Sequence, residues 1–177
     1  MKYYKMGSMA ITYLCLGSNK GDRVGYVQQA TSLLGGVEGV KIIRTSSLYE
    51  TQPWLEQGTV WYVNAVIEIK TSLSPQNLLS ECSRIETQLG RNRVQEGHFG
   101  DRTIDIDILF YDKEIIDEEN LQIPHKYLHQ RAFTLVPLLE LNPDFVHPEL
   151  DKNISDLHEE LENPEMVYLY GTRIDDL

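Results

Sequence analysis

Cysteine is scarce: the chain of 177 residues has two, Cys15 and Cys82. Both fall in apolar patterns and neither has a partner at metal-ligand spacing. A disulfide framework and a cysteine-ligated metal site are excluded, and two reduced, buried thiols in a cytoplasmic protein are expected. Long apolar runs are also missing. None approaches the ~20 residues that span a bilayer, and the start lacks a secretory pattern. Residues 1–9 read as a leader or tag ahead of the first strand pattern. Positive charge is short, with 16 Lys and Arg against 27 Asp and Glu and a formal net charge of −11. Proteins that grip nucleic-acid phosphates normally carry a basic surface, so neither a nucleic-acid nor a membrane partner is expected. The chain has no P-loop lysine pattern, spaced-glycine dinucleotide fingerprint, GxSxG elbow or HExxH pair. What remains is ordinary for a globular protein, 41% hydrophobic and 24% charged, and suits one domain over residues 10–177.

Periodicity supplies the elements. Residues 10–16, AITYLCL, read as a buried strand ending in a turn at Gly17-Ser18-Asn19. Asp22 caps a helix over 23–35 whose apolar face is Val27, Ala30, Leu33 and Leu34. Residues 39–50 alternate as a second strand, and TQPWLEQGT follows as a loop. The third strand, 61–70, puts Tyr62, Asn64 and Val66 on one face and Val63, Ala65 and Ile67 on the other. Ser74-Pro75 opens a second helix with a stripe of Leu78, Leu79, Cys82, Ile85 and Leu89, closed by Gly90. A polar stretch leads to a fourth strand at 103–111. Residues 113–125 read as a short hairpin or irregular connection. Helices over 131–140 and 153–162 and a last strand with an acidic end complete the chain. The order is βαββαβ, a ferredoxin-like α+β arrangement: an antiparallel sheet with helices packed on one face and a C-terminal helical and strand extension.

The strongest chemical signal is TIDIDIL. Asp105 and Asp107 alternate with Ile104, Ile106 and Ile108, so both carboxylates share one strand face. Two like charges so close need a cation. A hard divalent ion such as Mg²⁺ takes one or two carboxylates together with substrate phosphates. A solvated face or a pair of salt bridges ranks lower, because carboxylates are disfavoured in strands. Arg91, Arg93, Arg102 and Arg131 surround this strand in sequence, and guanidinium forks match phosphate oxygens. Each alone reads equally well as a surface arginine; the cluster in an acidic chain points to a polyphosphate ligand. Asn64 beside Tyr62 suits either recognition of a planar polar ring or a satisfied core amide. Gly17-Ser18-Asn19 reads as a structural turn, and His129, His147 and His158 as core or surface residues.

Six stretches together resemble one family: YLCLGSNKGDR (13–23), SSLYETQPW (46–54), YVNAVIEI (62–69), RIETQLGRNR (84–93), FGDRTIDIDILFYD (99–112) and IPHKYLHQRAFTLVPLLEL (123–141). In order and spacing they are similar to 6-hydroxymethyl-7,8-dihydropterin pyrophosphokinases of folate biosynthesis, over about residues 11–150. The resemblance implies transfer of a pyrophosphoryl group from ATP to the pterin hydroxymethyl oxygen, leaving AMP, by a cytoplasmic monomer. It implies two Mg²⁺ ions on Asp105 and Asp107, and Arg91 and Arg102 as catalytic residues beside them. Glu86, Arg91, Arg93, Arg102, Ile108, His125 and Arg131 match positions that hold ATP. Thr51, Gln52, Trp54, Tyr62, Asn64 and Phe133 match the pterin site. The chain departs from the commoner pattern at Gln52 (often proline), His98 (often arginine), Phe99 (often tryptophan) and Asp101 (usually proline), which bears on loop closure rather than on the reaction. Two other readings fit parts of the pattern. A metal-dependent nucleotidyltransferase on this fold shares the aspartates without needing the ring residues. A non-catalytic sensor needs no arginines beside a carboxylate pair.

Overall fold

The computed structural model describes residues 9–54, 59–96 and 100–173. Residues 1–8 of the leader segment, the loop departures at His98 and Phe99, and the acidic end at 174–177 lie outside the described residues.

β1 (Ala10–Ser18) runs through the predicted turn, so Gly17 and Ser18 are strand residues. α1 (Arg23–Gly35) starts where the sequence places it, with the Asp22 carboxylate accepting from Gly25 N. The single strand expected over 39–50 is two, β2 (Val40–Thr45) and β3 (Tyr49–Thr51), both lying along β4 (Tyr62–Thr71). At the break the Ser46 hydroxyl accepts from Val66 N while Ser46 N donates to Val66 O, so β4 stays satisfied where the ladder is interrupted. α2 (Pro75–Gln88) begins at the Ser74 cap with proline in its first turn. A short α3 (Arg93–Glu96) interrupts the stretch read as polar loop, and β5 (Asp105–Tyr111) follows. β6 (Ile116–Glu118) and β7 (Leu121–Ile123) form the expected hairpin. α4 (Ala132–Leu141), α5 (Ile154–Glu159) and β8 (Val167–Leu169) make up the extension.

The sheet order is β5-β1-β4-β3-β8, with β2 also on β4, and every pairing in it is antiparallel. Taking β2 and β3 as one interrupted strand, this is the interleaved order of the ferredoxin-like βαββαβ unit. α1 and α2 cover one face, against Leu14, Leu16, Val63, Ala65, Ile67, Ile69, Ile106 and Ile108. Each buried Val, Leu or Ile among these contributes roughly 1.5–3 kcal/mol, which makes β1, β4 and β5 a firm platform. The extension packs on the opposite face, where α4 and α5 bury Tyr13, Cys15, Val66 and Leu109.

That second face is divided along the strands. Alternation places Tyr13, Cys15 and Gly17 of β1, Val66, Asn64 and Tyr62 of β4, and Leu109, Asp107 and Asp105 of β5 on the same side. The first members of each set lie in the apolar cluster with α4 and α5. The last members line a cavity of about 720 Å³. The site is therefore the uncovered end of a half-covered sheet face.

Candidate active site

The charged half of the cavity is built on β5 and the end of α2. Ile104, Ile106 and Ile108 anchor one side of the β5 segment in the α1/α2 core, leaving Asp105 and Asp107 opposite Gly17 and Cys15 of β1. Arg102 Nη1 contacts Asp105 Oδ2 at 2.9 Å, and Arg91 Nη2 and Arg93 Nη2 each lie 3.7 Å from Asp105 Oδ1. Burial pushes the Asp105 carboxyl up, but Arg91, Arg102 and Arg93 together outweigh it and hold it below the usual carboxylate range. Asp107 goes the other way. Burial and then the Asp105 charge raise it, and Arg131, Arg93 and Arg102 only partly offset them. The His125 ring lies beside it, Nε2 to Oδ2 3.9 Å, and 36% of the Asp107 side chain is accessible. Burial, then the Arg131 charge, pushes His125 down to about 4, so it is neutral at pH 7.

This donor set fits Mg²⁺. Two hard carboxylates lie side by side, one charge neutralised by arginines and the other left in need of a cation. Among the described residues no group of three or more His, Cys, Asp or Glu forms an all-protein metal cage. An ion held by two carboxylates completes its shell with substrate oxygens.

The other half has flat walls. Asn64, 3% exposed, donates from Nδ2 to Thr51 Oγ1 at 2.5 Å. It lies directly over Gly17, where a Cβ would collide with Asn64 Oδ1. Glycine inside a strand often marks such a close approach. Trp54 and Tyr127 stack in a tilted pair with ring centroids 5.5 Å apart. The Arg131 guanidinium sits 4.3 Å from the Trp54 ring centre and 5.4 Å from those of Tyr127 and Phe133. Arg131 is thus a wall shared by the two halves, its charge acting on Asp107 and its plane on the rings.

The cavity gathers Thr51, Gln52, Trp54, Tyr62, Asn64, Arg91, Arg93, Arg102, Asp105, Asp107, His125, Arg131 and Phe133, nearly all of the residues expected to form the site. Two expected residues do not line it. The Ile108 side chain is buried in the core on the other side of β5. Glu86 lies behind the arginines, accepting from Ile106 N at 2.8 Å and from Arg93 Nη2 at 2.5 Å, so it ties α2, β5 and Arg93 together. The sequence reading also missed contributors. Tyr127 and Cys15 line the cavity. Asn19, read as part of a turn, exchanges backbone and side-chain hydrogen bonds with Arg102 and donates to Asp101 Oδ1 at 2.8 Å. It fixes the segment that carries Arg102. Asp101 supplies one of those contacts. The isolated glycine in an apolar strand was the available signal for Gly17; Asn19 carried none.

Comparison with known proteins identifies the family. The family model for 7,8-dihydro-6-hydroxymethylpterin-pyrophosphokinase (HPPK) matches residues 13–143. A Methylorubrum extorquens protein named 2-amino-4-hydroxy-6-hydroxymethyldihydropteridine pyrophosphokinase is 41% identical over 138 residues, covering 78% of this chain and 86% of its own. The Haemophilus influenzae protein of the same name is 39% identical over 161 residues, 91% of this chain and 99% of its own. The folic acid synthesis protein fol1 of Pneumocystis carinii is 38% identical over 165 residues, but the match spans only 22% of that longer protein. A crystal structure of wild-type Plasmodium falciparum HPPK-DHPS with pteroate superposes with a TM-score of 0.69 at 19% identity, over 86% of this chain and 44% of the other. At that identity the likeness speaks for the fold alone. The fold, the cavity and the matched sequence together place this chain in the 7,8-dihydro-6-hydroxymethylpterin-pyrophosphokinase family.

Proposed function

We propose that this cavity transfers the pyrophosphoryl group of ATP to the 6-hydroxymethyl oxygen of 7,8-dihydropterin, releasing AMP, as a step of folate biosynthesis. One observation carries the reading: a carboxylate pair ringed by arginines opens directly onto an aromatic slot floored by a buried amide. The pterin hydroxyl oxygen attacks the β-phosphorus, the bond from that phosphorus to the α–β bridging oxygen breaks, AMP leaves with that oxygen, and the hydroxyl proton is released. Such a displacement needs positioning and charge neutralisation more than a covalent nucleophile.

Asn64 meets the polar edge of the pterin, and Phe133, Trp54 and Tyr62 hold its faces. Arg91, Arg93 and Arg102 draw in the phosphates and stabilise the charge of the transferring group. Neutral His125 donates to a phosphate oxygen without adding charge. Asp105 and Asp107 would hold Mg²⁺, two ions in the full complex. Bound there, the metal would supply charge neutralisation for the phosphates.

The continuity of β8 with the main sheet supports residues 10–177 as one domain. Two buried free thiols support a reducing compartment, the cytoplasm. Among the described residues no helix is long and apolar enough to cross a membrane.

The test mixes protein, ATP, Mg²⁺ and 6-hydroxymethyl-7,8-dihydropterin and follows nucleotide and pterin products. AMP and pterin diphosphate in equal amounts are expected. ADP, or free pyrophosphate with a nucleotidylated product, overturns the assignment.

A further inference from the structure

Phe133 and Arg131 flank the first residue of α4, and both face the cavity. The first amides of any helix lack partners inside it. Ordinarily Ser, Thr, Asp or Asn at the cap position accepts from them. Here the cap position is Arg131, which makes no capping bond. Its guanidinium has no acceptor to offer and is committed to the aromatic walls. The task falls to a residue 32 positions downstream: Glu165 Oε1 accepts from Phe133 N at 2.8 Å. A carboxylate at that place also complements the positive end of the helix.

Glu165 does not act from a free tail. Its neighbour Met166 closes a reciprocal pair with Gln52, Gln52 N to Met166 O at 2.9 Å and Met166 N to Gln52 Oε1 at 3.3 Å. β8 continues from there, pairing Val167 with Thr51, Tyr168 with Glu50 and Leu169 with Tyr49. One short run of chain is therefore bonded to both walls of the ring slot. It holds the β3 wall, with Thr51, Gln52 and Trp54, and the α4 wall, with Phe133. A second cavity of about 1060 Å³ lies behind this seam, lined by Trp54 and Glu165 among others. The seam is thus a tie between the walls rather than solid packing.

We infer that Glu165 is a positioning residue for the ring slot: by capping α4 from the strand bonded to β3, it sets the spacing between Phe133 and the Thr51–Trp54 wall, and so the affinity for the pterin. This rests on the assignment of the ring half to the pterin. The groups around Asp105 that we assign to the phosphates, Arg91, Arg93 and Arg102, stand on other segments than this tie; of the cavity arginines, Arg131 is the one beside it and feels the Glu165 charge.

Steady-state kinetics of Glu165→Ala, Glu165→Gln and Asn64→Ala separate the possibilities. Losing a charge-assisted hydrogen bond predicts a pterin KM about tenfold higher in Glu165→Ala, with ATP KM and kcat within about twofold. Glu165→Gln keeps an acceptor oxygen and should recover most of that loss. Glu165→Asp, which keeps the charge but falls a methylene short of Phe133 N, should give the same split and serves if the alanine variant does not fold. Equal rises in both KM values without recovery by glutamine, or an unchanged pterin KM in Glu165→Ala and Glu165→Asp while Asn64→Ala raises it, overturn the inference and leave the pterin assignment standing. An unchanged pterin KM in Asn64→Ala overturns the slot assignment itself.

Discussion

The charged half of the cavity comes from one short run of chain, Glu86 to Asp107, with His125 and Arg131 added from outside. The ring half is collected from residues 51–54, 62–64 and 127–133 and tied by 165–166. The two are held by different forces. Coulomb attraction decays slowly with distance, so three arginines 2.9–3.7 Å from Asp105 act together even if each shifts slightly. A ring slot depends on stacking and hydrogen bonds that fade within a fraction of an ångström. The first half needs a rigid strand beneath it, which the isoleucines of β5 supply. The second needs distant segments kept in register. Damage to the first should appear in kcat and damage to the second in the pterin KM.

The sharpest break in this division is Asp107→Asn. Removing a metal-holding carboxylate from the charged half should lower turnover, read as AMP release, by about a thousandfold. The same change should raise stability. Burial and the Asp105 charge lift Asp107 above its ordinary range in the fold. A carboxyl raised in this way stabilises the fold while protonated, at low pH, and loses that contribution as pH rises through its folded value. In Mg²⁺-free protein at pH 8, Asp107→Asn should therefore melt at a higher temperature than the parent, and at pH 4 the two should agree. A lower melting temperature at pH 8 would mean that the Asp107 charge is already well satisfied. Next in size is Arg102→Ala, expected to cost about a hundredfold in kcat with little change in pterin KM. Because the Arg102 guanidinium also lies 5.8 Å from the Tyr62 ring centre, a pterin KM effect larger than the kcat effect would merge the two halves into one.

How much of this was legible follows the same line. The alternation of TIDIDIL, the Ser74-Pro75 cap and the two-sided pattern of β4 are local, and period and capping chemistry determine them. The charged half, being local, was readable almost whole. The break between β2 and β3 was not, because Ser46 interrupts the strand and repairs β4 with its hydroxyl, a contact 20 residues away. Gly17 and Ser18 resembled a turn because Gly-Ser-Asn favours turns; what keeps them in β1 is pairing with Asn64 and Val63. The short α3 lay in a stretch too polar for periodicity to mark. Ile108 and Glu86 were placed at ATP by family resemblance, yet their side chains meet the core and the backs of the arginines. The cap of α4 could not be read at all, since its acceptor lies 32 positions on.

Gly17→Ala probes the ring half from underneath. A methyl there meets Asn64 Oδ1, so the amide must move or β1 and β4 must part. Displacing a substrate-orienting group without removing it should raise pterin KM about tenfold while leaving ATP KM near its parent value. Overpacking should cost about 1–3 kcal/mol in thermal or denaturant unfolding. If kcat falls while pterin KM holds, Asn64 aligns the reacting oxygen rather than binding the ring.

The smallest effect on activity belongs to the covered end of the same sheet face. His147 is 3% exposed, edge-on to Phe110, with Nδ1 accepting from Glu149 N and Leu150 N. Burial, then the nearby His129, pushes it down to about 4. A histidine lowered in this way favours the fold while neutral. Its contribution is complete above its ordinary value of 6.5 and is lost as pH falls towards 4. His147→Asn keeps an acceptor for the two amides and removes the titration. Between pH 7 and pH 4 the parent should lose on the order of 2 kcal/mol more stability than the variant, while AMP release at pH 7 stays within about twofold. If the acid limb of the melting curve is the same in both proteins, acid unfolding is driven by carboxylates such as Asp105, whose lowered value requires loss of stability as pH falls. The His147 titration would then contribute nothing to the acid response of the fold, whatever its burial.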